Sequence, residues 1–113
     1  MELGKQRPSR TYKNKTYYCP ISLAMDLVGG KWKGVILYYL LSGEKRFSEL
    51  KIVIPEITDM TLSIQLKKLE DDGLITRTVF GDKPPLKVLY KLTPLGERIG
   101  PALEQLCLWG LTV

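Results

Sequence analysis

The apolar spacing along this chain shifts from a helical to a strand-like pattern after Gly73 and returns to the helical one after Thr93, and that shift constrains the fold more than any other feature. Up to Gly73 the apolar side chains recur three and four residues apart; beyond it come two strand-like runs, the second with Val88, Tyr90 and Leu92 on one face and Lys87 and Lys91 on the other. The first spacing places one stripe of a helix against a core, and the second places one face of a strand there. Cys19-Pro20 opens a helix carrying Ile21, Leu23, Ala24, Leu27 and Val28, and Gly29-Gly30 ends it. A second helix is expected from about Lys31 to Leu41, with Trp32, Val35, Ile36, Tyr39 and Leu40 as its buried stripe. Lys45-Arg46-Phe47 can make a short strand, and Ser48 to Ile54 a third helix stopped by Pro55.

The fourth helix spans about residues 58–72. Thr58 is a good N-cap, Asp59 suits the positive end of the dipole, and Gly73 suits the C-terminal turn. Leu74 to Phe80 and Lys87 to Leu92 are the strands of a hairpin over about 74–92, joined by Gly81-Asp82-Lys83-Pro84-Pro85. Thr93-Pro94 then caps a last helix over about 94–109, in which Pro101 should kink the chain or remove a hydrogen bond. Three helices followed by a hairpin predict an α+β, mainly helical chain: a winged helix-turn-helix with a two-stranded wing, flanked by N- and C-terminal helices. The 113 residues fit one domain, residues 19–113, behind a basic arm of residues 1–18 with no clear period.

The net charge of +5 suggests an acidic partner, but its distribution weakens that clue. Of the 17 basic and 12 acidic residues, five and one respectively lie in residues 1–15. The arm is either a solvated tail or a DNA-contacting segment. The remainder is nearly neutral, so a DNA-binding reading must rest on the placement of side chains.

That placement comes from the fourth helix. With Leu62, Leu66 and Leu69 inward, the 100° step turns Met60, Ile64, Lys67 and Lys68 outward, while Thr58, Thr61 and Ser63 flank the N-terminal half. Hydroxyls and apolar groups can meet base edges and thymine methyls, and lysines can meet phosphates. Lys83 at the wing tip, Lys87 beside it, and Arg46 and Ser48 at the start of the preceding helix are further backbone-contact candidates. Double-stranded DNA is therefore the expected partner. The alternative is a winged-helix protein-interaction module without DNA binding.

These segments carry a family resemblance. Cys19-Pro20, Leu27-Val28-Gly29-Gly30-Lys31-Trp32-Lys33, Arg46-Phe47-Ser48-Glu49-Leu50, the run from Leu66 to Ile75, and Tyr90-Lys91-Leu92-Thr93-Pro94-Leu95-Gly96 together resemble the HxlR-type transcription regulators. The resemblance covers about residues 19–109. It implies a homodimeric repressor or activator with dimer contacts through its first and last helices, Ile21 among them. Met60 and Ile64 stand where more polar residues are usual in that family. On the last helix Leu95, Ile99, Ala102, Leu106 and Trp109 alternate spacings of four and three, a seam for a twin subunit, with Leu103 on a second apolar side.

Cys19 stands at a helix N-cap beside the basic arm, and both features favour a thiolate. Some HxlR-type members use a cysteine in this Cys-Pro position to sense electrophiles or oxidants. The other reading is a small structural residue packed beneath the arm. Cys107 on a partner subunit is a candidate disulfide mate, which geometry must decide. With two cysteines and no histidine, no metal site, cofactor or enzymatic activity is expected. The longest apolar run, Val35 to Leu41, has seven residues against the ~20 of a membrane span, so a cytoplasmic protein is expected.

Overall fold

The computed structural model describes residues 9–113. Its elements run β1 (Arg10–Tyr12), β2 (Lys15–Tyr17), α1 (Pro20–Val28), α2 (Lys33–Leu40), α3 (Phe47–Val53), α4 (Asp59–Asp71), β3 (Ile75–Phe80), β4 (Lys87–Leu92), α5 (Pro94–Glu97) and α6 (Gly100–Gly110). This is the expected winged helix-turn-helix. α2 lies at its centre, packed against α1, α3, α4, β4 and α6. The core joins Ile36, Leu37 and Leu40 to Leu50, Ile54 and Ile57, to Leu62, Leu66 and Leu69, and to Leu74, Ile75, Leu92 and Leu103. Each such side chain contributes roughly 1.5–3 kcal/mol when fully buried.

The wing is antiparallel, registered from Ile75↔Leu92 to Phe80↔Lys87, and its loop spans residues 81–86 rather than 81–85. Its entry is fixed by the end of α4. Gly73 takes a φ of +79°, which its missing Cβ permits. The Leu74 N–H then reaches the Leu69 carbonyl at 2.9 Å and the Gly73 N–H the Glu70 carbonyl at 3.0 Å, a Schellman turn that swings the chain from helix into strand.

Four local expectations change. Residues 10–17 form a hairpin, with Lys13 and Asn14 both at positive φ in a two-residue turn of the kind that matches strand twist. Residues 1–8 of the arm lie outside the described residues. Lys45 makes a single bridge to Tyr90 instead of starting a strand, and Arg46 is already the N-cap of α3, its N–H held by Glu49 Oε1 at 2.7 Å. In α2 the buried residues are Ile36, Leu37 and Leu40, while Val35 is exposed. The last helix is two helices. A proline ring clashes with the carbonyl four residues back, here Glu97, and α5 ends at Glu97. α6 restarts with Pro101 in its first turn, where a missing N–H costs nothing.

Candidate nucleic-acid interface and thiol sites

α4 begins at a side-chain cap. Thr58 Oγ1 accepts the Thr61 N–H at 3.1 Å and donates its own proton to Thr61 Oγ1 at 2.9 Å. The Thr61 hydroxyl proton stays available to an outside acceptor. A residue that sequence patterning missed links α3 to the start of this helix. Lys51 on α3 pairs with Asp59 at 3.2 Å and donates to the Ile57 carbonyl, tying the inter-helix turn to the first turn of α4. Only the i→i+8 spacing from Lys51 to Asp59 hinted at this, and nothing in it announces a turn.

Leu62, Leu66 and Leu69 are buried as expected. On the opposite face Met60 is 74% and Ile64 47% exposed, and Ser63, Lys67 and Lys68 are exposed beside them. Lys67 pairs with Asp71 at 3.2 Å across one turn, a surface contact worth little against a competing phosphate. Along the side of the wing that faces α3, Arg46, Ser48 and Lys87 share a groove of about 420 Å³ with Glu44, Glu49 and Leu89. Three of the expected backbone contacts are thus brought together. Lys83 lies exposed in the wing loop outside this groove.

The N-terminal hairpin bonds to the end of α4 and to α1. The Tyr12 hydroxyl donates to the Asp72 carbonyl, and Lys13 donates to the Asp71 carbonyl and pairs with Asp72 at 3.3 Å. These contacts place a cation over the C-terminus of α4, where Asp71 and Asp72 oppose the dipole. Asp26 on α1 receives the Tyr17 hydroxyl at 2.8 Å and Lys15 at 3.1 Å. Those hydrogen bonds, Tyr17's foremost, hold the Asp26 carboxyl below its ordinary range. The bond to Asp26 raises both Lys15 and Tyr17. Lys13 and Lys15 therefore serve the chain's own carboxylates.

Cys19 is the half-buried N-cap of α1, its carbonyl accepting the Ser22 and Leu23 N–H groups at 3.0 and 3.3 Å. Cys107 is exposed on α6 and accepts the Tyr38 hydroxyl at 3.6 Å, a bond that raises the Tyr38 phenol above its usual range. Neither cysteine is in a disulfide within the chain. Between α1, α2 and α6 lies an apolar hollow of about 490 Å³, its walls including Met25, Val28, Val35, Leu103 and Cys107. The residues expected to form a dimer seam divide. Ile21, Ala102, Leu106 and Trp109 are exposed. Leu95 and Ile99 pack half-buried on the core, and Leu103 is inside it at 6% exposure. Among the described residues no group of three or more His, Cys, Asp or Glu could hold a metal ion.

The HxlR-like helix-turn-helix family matches residues 27–113, from the end of α1 through the wing and α6. The chain belongs to that family. An HTH-type transcriptional regulator of Bacillus subtilis (strain 168), YkvN, is 46% identical over 96 residues, covering 85% of this chain and 80% of its own length. The redox regulator HypR in its oxidized form superimposes with a TM-score of 0.78 at 40% identity, covering 84% of this chain and 97% of that one. The reduced form of the transcriptional regulator YodB from B. subtilis gives 0.70 at 35% identity, over 80% of this chain and 89% of that one. This HxlR-like chain is accordingly a transcription regulator. Its β1–β2 hairpin, α1 up to Asp26 and Cys19 precede the residues that the family matches.

Proposed function

We propose that this chain is a homodimeric, sequence-specific DNA-binding regulator of the cytoplasm, without catalytic activity, switched by thiol oxidation or a small electrophile at Cys19. One observation carries the DNA reading: α4 buries Leu62, Leu66 and Leu69 and turns Met60, Ser63, Ile64, Lys67 and Lys68 to the outside. A helix so mounted fits a major groove ~12 Å wide. Thr58 and Thr61 stand at its leading end. Arg46, Ser48 and Lys87, with Lys83 on the wing loop, are the proposed phosphate contacts. Exposed Ile21, Ala102, Leu106 and Trp109 support self-association through α1 and α6. The thiol reading draws on the Cys19 N-cap and on the redox regulators HypR and YodB as structural neighbours. Cys107 is the proposed disulfide mate, from the partner subunit.

The test is a titration of promoter DNA against salt, run before and after diamide. Lys67→Ala and Lys68→Ala should weaken binding to every sequence and flatten the log–log salt slope by about 0.9 per lost phosphate contact. Diamide should change the affinity of the parent and leave Cys19→Ser unmoved. Binding that ignores salt would favour a protein-interaction module. A diamide response that persists in Cys19→Ser would remove the thiol assignment alone.

A further inference from the structure

We infer that Met60 and Ile64 read the 5-methyl groups of thymines in the major groove, so that each half-site of the operator is specified at its centre by methyl contact and not by bidentate hydrogen bonds. The inference rests on the DNA reading above and deepens it.

Both side chains lie on the one face of α4 that points away from the core. With Leu62, Leu66 and Leu69 facing inward, the 100° step puts Met60 and Ile64 close to the opposite direction, one turn apart. Both fall in the N-terminal half, which meets base edges when a recognition helix enters the groove. Met60 is the second residue of the helix and is 74% exposed; Ile64 is 47% exposed. Neither side chain is part of the hydrophobic core or packed against it.

The rest of that face narrows what the pair can recognise. Guanine is read most often by a bidentate Arg or Lys, and adenine by Asn or Gln. α4 contains no Arg and no Asn, and its one Gln, Gln65, is half-buried towards the flank. Its lysines, Lys67 and Lys68, sit in the C-terminal half, and Lys67 is paired with Asp71. At the centre of the reading half there is apolar surface flanked by the hydroxyls of Thr61 and Ser63. Thymine presents an apolar group in the major groove of unmodified DNA, and its O4 accepts a hydroxyl proton beside it. The cations that follow on the same helix complement the phosphates on either side of such a contact. Other apolar occupants would meet those lysines without charges to pair with them.

The experiment uses the full chain. Bound sequences are selected from random duplex DNA, and duplexes of the selected sequence are made with each thymine in turn replaced by deoxyuridine. That exchange keeps every hydrogen bond and removes one methyl. At one or two positions per half-site the replacement should weaken binding about fourfold, the worth of one buried carbon. Ile64→Ala and Met60→Ala should each erase the discrimination at its own position, binding the two duplexes alike. Both sites are exposed, and thermal melts check that the variants fold. Equal binding of thymine and deoxyuridine duplexes at every position overturns the inference and leaves DNA binding standing. So does methyl discrimination that persists undiminished in both variants. Failure to select any sequence, with no salt-dependent binding, overturns the DNA reading and the inference with it.

Discussion

Gly96 shows how much a single position can constrain this fold. It sits in the first turn of α5, its N–H held by the Thr93 hydroxyl at 3.1 Å. The same hydroxyl donates to the Gly73 carbonyl at 2.7 Å, so the caps of α4 and α5 share one side chain. That joint brings α5 so close to the start of the wing that a Cβ on Gly96 would lie 2.1 Å from the Leu74 carbonyl oxygen. The obstacle is backbone, anchored by the Leu74 N–H bond to Leu69 and the Thr93 N–H bond to Leu74, and cannot rotate aside. Gly96→Ala should therefore cost at least the ~1–3 kcal/mol of an overpacked site. A thermal melt should fall by roughly 4–8 °C per kcal/mol. An unchanged midpoint would show that α5 is free to move off the wing. Thr93 and Pro94 were legible in the sequence as cap and first turn because those roles are local. The approach of Gly96 to Leu74 was not, because it arises only when the wing closes.

At the scale of elements, legibility followed how local each cause is. α4 was read almost to its ends, since its cap, its leucine stripe and its terminal glycine all lie within it. α2 was located but its stripe was misjudged: Lys33–Leu40 is apolar on most sides, and helices or strands pack around it from several directions. Its spacing could not show that Leu37 would be buried and Val35 exposed. The hairpin of residues 10–17 escaped because its basic composition resembles a solvated tail. The near-repeat of Arg-Thr-Tyr as Lys-Thr-Tyr on either side of Lys13-Asn14 was the available signal. What fixes it is tertiary: Tyr12 and Lys13 on the end of α4, Tyr17 and Lys15 on Asp26. This arrangement makes the hairpin sensitive to pH at both extremes. The carboxyl of Asp26 is lowered in the folded chain, so its contribution is present above the unfolded value and is lost as pH falls through the folded one. Lys15 is raised, so its contribution is present below the unfolded value and fades as pH rises through the folded one. The groups are solvent-exposed, so the effect is small and screened by salt. In Asp26→Asn, the protection of the hairpin amides against hydrogen exchange should drop at neutral pH and should no longer decline further on acidification through the Asp26 range. Protection equal to the parent's at neutral pH would mean that Tyr17 and Lys15 do not hold the hairpin.

For the whole molecule the decisive feature is its shape. The extents are 55 × 37 × 23 Å and the radius of gyration 15.8 Å, against about 13 Å for a compact chain of this length. The molecule also carries much exposed apolar surface on α1 and at the end of the chain. Ile21, Met25, Leu106, Leu108, Trp109 and Leu111 are each more than half exposed. The last segment has two tasks, and they divide within α6. Leu95, Ile99 and Leu103 hold it to the core, and the side chains beyond them are left outside. The two groups therefore respond differently to substitution. Leu103→Ala should destabilise the fold by about 2–5 kcal/mol, as a truncated core residue does. Leu106→Asp removes nothing from the core and should leave the helical circular dichroism of an isolated subunit intact. In a homodimer joined through α6 it places a carboxylate in the apolar seam, which a buried charge without a partner does not tolerate. Light scattering should then give half the parent's mass, and affinity for a palindromic site should fall towards that for a single half-site. If Leu106→Asp keeps the parent's mass and its operator affinity, the subunits meet elsewhere, and the exposed face of α6 must be assigned to a different partner.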